Sequence, residues 1–234
     1  MPAETTYDTE TELHAVNSIL AAIGQAPVSR IWNTEDKKLS FVNPEVSFAY
    51  QLLQEVNVDV QNEGWVFNRE QYYELKPDTE GLIKLPQNIL RMDVSDGQIF
   101  RTTDVIRRDG KLYDRMHHTF VFSRPLCLDL VWKFPYEDLP SVFKRYITMR
   151  AAGRAATQMV ASPELTQLLQ NQEGQLRAAC MEYEANQGDY NFMGFPPGSV
   201  YGTYQPAQTL DRNNTSGGYG YGVWGSQYRR RGGY

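Results

Sequence analysis

The chain has 234 residues, of which 41% are apolar and 22% charged, and it carries a net charge of −5. These values predict a globular protein with a sizeable core, and they argue against a disordered chain or a nucleic-acid-binding surface spread over the molecule. Cys127 and Cys180 are predicted to be small core residues in a reducing compartment, and neither a membrane span nor a secretory signal is expected, which disfavours membrane proteins, secretory enzymes and zinc fingers.

Two helices are predicted in the first part of the chain. Thr9 and Glu12 form a capping-box pattern, after which apolar residues recur at spacings of three and four until Gly24. The second helix begins at 43–44, an Asn-Pro pair, and ends at Gly64. Its apolar stripe is Val46, Ala49, Leu53, Val56 and Val60.

Short β-branched and aromatic runs separated by turns follow from Trp65 to Phe134 and predict strands. Two Asp-Gly pairs, at 96–97 and 109–110, indicate tight hairpin turns. The predicted strands are Trp65–Leu75, Leu82–Leu85, Leu90–Val94, Gln98–Thr102, Asp104–Arg108, Lys111–Asp114, Thr119–Ser123 and Leu126–Phe134.

Helical periodicity returns after Pro140 and continues through an alanine-rich stretch to Ala161. Ser162 and Pro163 then begin a fourth helix, with serine as the cap and proline at the first helical position, and Gly188 ends it. The expected apolar stripe of this last helix is Leu165, Leu168, Leu169, Leu176, Ala179 and Tyr183.

The resulting prediction is an α+β fold: a four-helix body made of two helical pairs, with a β module inserted between them and an extended C-terminal tail. The expected boundaries are 1–64 for the first helical pair, 65–136 for the β module, 137–188 for the second pair and 189–234 for the tail.

The tail differs in composition from the body. Residues 189–234 hold 10 of the 18 glycines and 7 of the 15 tyrosines, but few aliphatic residues. Their charges sum to +2, which leaves −7 for the body. Such a segment buries too little apolar area to order itself, so we expect it to be ordered, if at all, by docking.

Motifs that carry chemistry are largely missing. The sequence has no glycine-rich phosphate loop within a βαβ unit and no GxSxG nucleophile turn. His117 and His118 are adjacent and favour solvated or turn histidines over a metal site, and Glu182 and Glu184 favour a solvated helix face over a catalytic pair. We therefore predict no catalytic residues, no metal and no cofactor.

The end of the tail combines arginine with tyrosine and tryptophan. Three arginines could attach weakly to nucleic acid, but the same residue types are enriched at protein interfaces, and docking on protein is the favoured interpretation. The residues predicted to anchor this docking are Tyr201, Tyr204, Tyr219, Tyr221, Trp224, Tyr228, Arg229, Arg230 and Arg231.

Four segments resemble, in order, the tail tubular protein A family of short-tailed bacteriophages. They are LHAVNSILAAIGQAPVSRI at 13–31, QNEGWVFN at 61–68, SVFKRYITMRAAGRAATQ at 141–158 and CMEYEANQGDYNF at 180–192. The resemblance covers roughly residues 10–195, and the longer, Gly/Tyr-rich tail departs from the family pattern.

The resemblance implies a structural virion protein rather than an enzyme. Members of the family form a twelve-fold ring, the head-to-tail adaptor, which joins the portal protein to the tail nozzle, tail tubular protein B. Tail fibres attach near that junction, and genomic DNA passes through the ring. The implied location is the virion neck at the portal vertex, after assembly in the host cytoplasm.

Within that expectation, the tail is predicted to dock on the portal, since related adaptors insert their C-terminal segments there. The β module is expected to contact the nozzle or fibres, with Tyr72, Tyr73 and Tyr113 as candidate interface residues that could equally be module core. Two rival functions stay open: a tail-associated polysaccharide hydrolase and a nucleic-acid-binding packaging factor.

Overall fold

The computed structural model describes residues 10–33, 40–95 and 103–188. The chain divides into two compact units, residues 1–184 and 185–234, and the elements below belong to the first, except for the last four residues of the final helix. The described residues contain four helices and several antiparallel strands, which makes the α+β prediction correct. The four-part domain division remains a prediction.

The first helix, α1, spans Glu12–Ala22, and its cap differs from the predicted one. Thr11 caps the helix, because its hydroxyl accepts the backbone N–H of His14 at 3.3 Å. The capping box predicted at Thr9 is therefore wrong by two residues. At the other end Gly24 adopts φ +76°, the left-handed conformation that ends a helix most readily at glycine.

A two-stranded sheet of β1 (Trp32–Asn33) and β2 (Ser40–Phe41) leads into α2, which spans Pro44–Asn62 with Asn43 as its cap. The predicted start of α2 and its apolar stripe are confirmed, since every stripe residue is buried. Gly64 follows the helix at φ +83°, where a Cβ atom would lie only 3.0 Å from the Arg91 guanidinium and 3.2 Å from Val131.

Three strands form one antiparallel sheet in the order β3-β7-β4, with β3 at Arg69–Leu75, β4 at Ile89–Val94 and β7 at Leu126–Trp132. A separate hairpin pairs β5 (Val105–Arg108) with β6 (Lys111–Asp114). The predicted Asp-Gly turn at 109–110 is confirmed, because both of its residues have positive φ.

Three strand predictions need correction. The first strand begins at Arg69, because Trp65 to Asn68 form a turn, and 82–85 and 119–123 make only isolated bridges. Gln98–Thr102 and the Asp-Gly pair at 96–97 lie outside the described residues.

Helix α3 spans Ser141–Met159 and follows a 3₁₀ turn at Tyr136–Asp138. Helix α4 spans Pro163–Gly188, and the Ser162 hydroxyl accepts the backbone N–H of Leu165 at 3.4 Å, as the predicted serine cap requires. Only Leu169 and Cys180 of α4 are buried, so this helix lies at the periphery, whereas α1, α2 and α3 pack closely together.

In the described part of the chain, two hydrophobic clusters make up the core. The larger joins α1, α2 and α3 to Trp65, Tyr136 and Cys180. The smaller lies among the strands and includes Ile83, Leu112 and residues of β7. Phe134 packs against both clusters, and the two cores therefore meet just after β7 ends.

Two buried amides, which we name the junction amides, connect the clusters at that point. Gln61 donates to the Phe134 carbonyl at 2.9 Å and accepts the Phe134 N–H at 2.7 Å. Asn68 donates to the carbonyls of Gln61 and Trp132 and accepts the Trp65 N–H, at 2.8 to 2.9 Å. Together these buried side chains satisfy backbone groups where the helix gives way to strands.

We predict that Gln61→Ala lowers the free energy of unfolding by about 2–4 kcal/mol, because it leaves both polar groups of Phe134 without partners and opens a cavity. Guanidinium denaturation followed by circular dichroism measures this. Gln51→Ala, an exposed position on the same helix, serves as the matched control and should change stability by less than about 0.5 kcal/mol. Equal effects of the two changes would contradict a structural role for Gln61.

Cys180 provides a second test of the helical packing. Burial raises the pKa of its thiol to about 12, and the thiol donates to the Val142 carbonyl at 3.7 Å. Cys127 on β7 is only half-buried, so the prediction that both cysteines are core residues holds for Cys180 alone. The native Cys180 thiol should therefore stay protonated at pH 8 and resist labelling.

Labelling with a thiol reagent at pH 8 distinguishes the two cysteines when each is kept alone, in Cys127→Ser and Cys180→Ser. In the native state we expect Cys180 to react at least about a hundredfold more slowly than Cys127, with the difference abolished in denaturant. Fast labelling of native Cys180 would show that this residue of α4 is not packed against α3.

Candidate assembly surfaces

The predicted portal-docking residues all lie beyond Gly188, outside the described residues. Their role stays a prediction. The other three candidates, Tyr72, Tyr73 and Tyr113, lie within the described part of the chain, but on different sheets: the first two on β3 and the third on β6. They do not form one site.

Tyr72 lies in a β-bulge on an edge strand. The register of β3 against β7 shifts between Glu70 and Tyr73, and Tyr72 adopts φ +57°, which is uncommon for a residue other than glycine. Its N–H is held by the Asp129 carboxylate at 3.1 Å and the Ser95 hydroxyl at 3.3 Å. The bulge is thus stabilised by a side chain of the adjacent strand β7 and by Ser95, which follows β4.

Tyr73 and Tyr113 are each partly committed to the protein's own packing. The Tyr73 ring contacts Trp132 edge-on at 5.5 Å and keeps 38% of its surface exposed. The Tyr113 ring has the Arg108 guanidinium 4.0 Å over one face and Phe120 at 4.8 Å. Tyr73 is therefore the more available of the two for a partner.

The histidine pair lies in a turn after β6. The His117 ring contacts the Asp114 carboxylate at 2.7 Å, and the same carboxylate accepts the N–H of Met116 at 2.8 Å. Burial opposes ionisation of Asp114, but these hydrogen bonds outweigh it and lower its pKa. Across 10–33, 40–95 and 103–188 no three metal-ligating side chains cluster.

An ion cluster that the sequence did not reveal joins three helices. Arg177 of α4 contacts the Glu63 carboxylate after α2 at 3.0 Å and the Tyr146 hydroxyl of α3 at 2.8 Å. These hydrogen bonds raise the pKa of Arg177 above its ordinary value. Arg150 of α3 approaches Glu63 at 3.4 Å and Glu173 at 3.7 Å. The cluster fixes α4 along one flank.

A cleft of about 250 Å³ lies between α3 and α4. Its lining contains one carboxylate, Glu173, which already contacts Arg150. A glycoside hydrolase ordinarily needs two carboxyls facing each other across a cleft. This cleft therefore lacks the pair that the hydrolase alternative requires.

The outward face of α4 is free of charge between Glu164 and Glu182. The two charged residues in this stretch, Glu173 and Arg177, lie on the flank and are paired. Leu168, predicted to face the core, is instead 55% exposed, and Met181 is 53% exposed. The residues of this uncharged face, which share one side at 3.6 residues per turn, are Gln167, Leu168, Asn171, Gly174, Gln175, Ala178 and Met181.

Three of the four family segments supply contacts inside the fold. Gln61 and Asn68 supply the junction amides, and α3 crosses the core. Near the end of α4, the Glu184 carboxylate accepts the Val66 N–H at 2.7 Å and Tyr183 packs edge-on against Phe143. The segments thus mark packing around one junction.

Comparison with known proteins agrees with the family that the four sequence segments indicate. The family model described as tail tubular protein matches residues 13–190, and no curated protein matches the chain. None of the helices in the described part of the chain is both long and apolar enough to cross a membrane. Because the match extends over most of the chain, the protein belongs to the tail tubular protein family and is a structural component of the bacteriophage tail.

Proposed function

We propose that the protein is the head-to-tail adaptor: copies of the chain form a ring, with twelve members as in the resembling family, that joins the portal to the tail nozzle. The ring leaves a passage for the genome. Family membership makes the chain a tail component. As the adaptor, it lies in the virion at the neck of the portal vertex.

The observation that carries the proposal is the uncharged outward face of α4. Seven exposed residues extend over about 21 Å without a charge, and Leu168 and Met181 place large apolar side chains near its two ends. Interface cores are depleted in charged residues. We propose that this face contacts the neighbouring copy, since a head-to-tail contact whose rotation closes produces a ring.

The charge of the body supports the passage of DNA. Residues 1–188 carry −7, and like charge reduces adhesion of a polyanion to the lumen wall. The tail carries +2 and is rich in tyrosine, which suits docking on the portal. We propose that the tail arginines meet acidic portal groups and that the tyrosines provide contact area.

We predict that Leu168→Glu prevents ring formation, because it places a charge in the proposed contact between copies. Electron microscopy of the chain co-expressed with the portal protein would count rings. Met116→Glu is the matched control, since Met116 is 58% exposed and lies on a turn of the β module. Intact rings with Leu168→Glu would exclude the α4 contact, and the lack of rings with the unchanged chain would exclude the adaptor proposal.

We also predict that removing residues 199–234 leaves the body folded but lowers affinity for the portal protein at least about tenfold, because the proposed anchors are lost. Surface plasmon resonance against immobilised portal measures the affinity. A chain whose residues 199–234 are shuffled keeps the tail's charge and length and separates sequence from charge. Unchanged affinity after truncation would exclude tail docking.

A further inference from the structure

The β module has a small sheet whose outward side we name the basic face. Lys111 on β6 pairs with Arg108 on β5 and, through an isolated bridge, with Lys84 on its other side. Residues paired across strands lie on the same face of a sheet. Three cationic side chains from separate segments of the chain therefore stand in one row, about 5 Å apart from strand to strand.

Apolar and aromatic residues flank this row. Register and alternation place Leu82, Ile106, Tyr113 and Val121 on the same outward side. Val121 is 57% exposed. The opposite side of the sheet carries Ile83, Val105, Leu112 and Phe122, all buried in the smaller cluster. One side of the sheet is thus core, and the other combines positive charge with exposed apolar area.

The charge of the row is only partly compensated. Lys84 contacts Asp78 at 3.7 Å, but the lysine side chain is 76% exposed, so solvent screens the pair. Asp109 adds one negative charge in the turn between Arg108 and Lys111. Like charges on directly opposite residues repel one another. The fold tolerates this repulsion in two successive pairs, Arg108 with Lys111 and Lys111 with Lys84.

We propose that the basic face binds an acidic helical segment of another protein. Carboxylates at positions i and i+4 of a helix stand about 5–6 Å apart, close to the spacing of the cationic row. The apolar flank offers area for the neighbouring turns of such a helix. Charge and spacing together define the partner.

The structure disfavours two other occupants. Within the described residues, a second copy of this chain offers a row along α2 and the residue after it, but each of its carboxylates already faces an arginine: Glu55 and Asp59 pair with Arg154, and Glu63 pairs with Arg177. Single-stranded nucleic acid would stack bases on Tyr113, yet Arg108 covers one face of that ring. Binding of phosphates alone would also leave the exposed apolar flank without a contact.

The proposal uses a surface that ring formation and tail docking do not require. In the proposed adaptor, the basic face would define the chemistry of the expected contact between the β module and a nozzle or fibre. Binding of a probe peptide to this face can be measured whether or not a ring forms. Failure here would leave the adaptor proposal intact, and failure of the adaptor proposal would leave this one testable.

Fluorescence anisotropy with the full chain tests the proposal. The probe is a labelled alanine-based helical peptide of about 16 residues, with glutamate at i, i+4 and i+8 and leucine beside them. The same peptide with glutamine for glutamate, and a labelled DNA duplex of about 20 base pairs, are the comparison probes. Lys84→Ala/Lys111→Ala is compared with Lys76→Ala/Lys133→Ala, which removes the same charge from exposed positions elsewhere on the module.

We expect the glutamate peptide to bind the unchanged chain and the control variant equally, and to bind Lys84→Ala/Lys111→Ala about fivefold to tenfold more weakly. The glutamine peptide should bind far less well, and added salt should weaken binding of the glutamate peptide. Equal loss in both variants, equal binding of the glutamine peptide, or tighter binding of the duplex at the same lysines would each overturn the proposal. Circular dichroism confirms that both variants fold.

Discussion

The fold depends on a pair of buried amides where α2 ends and the strands begin. A glutamine side chain presents a donor and an acceptor together, so Gln61 can satisfy both polar groups of the Phe134 backbone at once. Asn68 does the same for three backbone groups of the adjoining turn. An apolar side chain of similar size could fill the space, but it would leave these buried groups unpaired. The helical and the β cores are therefore joined by hydrogen bonds of fixed geometry.

The last turns of α4, near the end of the described residues, contact the same junction. Tyr183 and Glu184, in the last turns of α4, contact Phe143 and the Val66 N–H, while Arg177 joins α4 to the end of α2. Three of the segments that identify the family thus surround one structural point. Their chemistry is that of packing and backbone satisfaction, which is what a component of an assembly needs from its interior.

The two outward surfaces differ in chemistry. The exposed side of α4 is uncharged with scattered apolar side chains, which suits a permanent contact that excludes water. The basic face of the β module carries Lys84, Arg108 and Lys111 in one row, which suits recognition of a complementary charge and depends on salt. The two proposals therefore place contact between copies and contact with a different partner on different elements.

The sequence by itself determined the α+β class, the helices, the buried stripe of α2, the Asp-Gly turn at 109–110 and the family, because periodicity and turn chemistry are local. Only the tertiary structure decided that Leu168 faces solvent, since a stripe shows which side of a helix is apolar but not whether another element covers it. It alone decided that the segment before Arg69 turns, because Asn68 bonds to Trp132, 64 residues away. The row of Lys84, Arg108 and Lys111 likewise depends on tertiary structure, because only an isolated bridge brings Lys84 beside the two cations that flank the Asp-Gly turn.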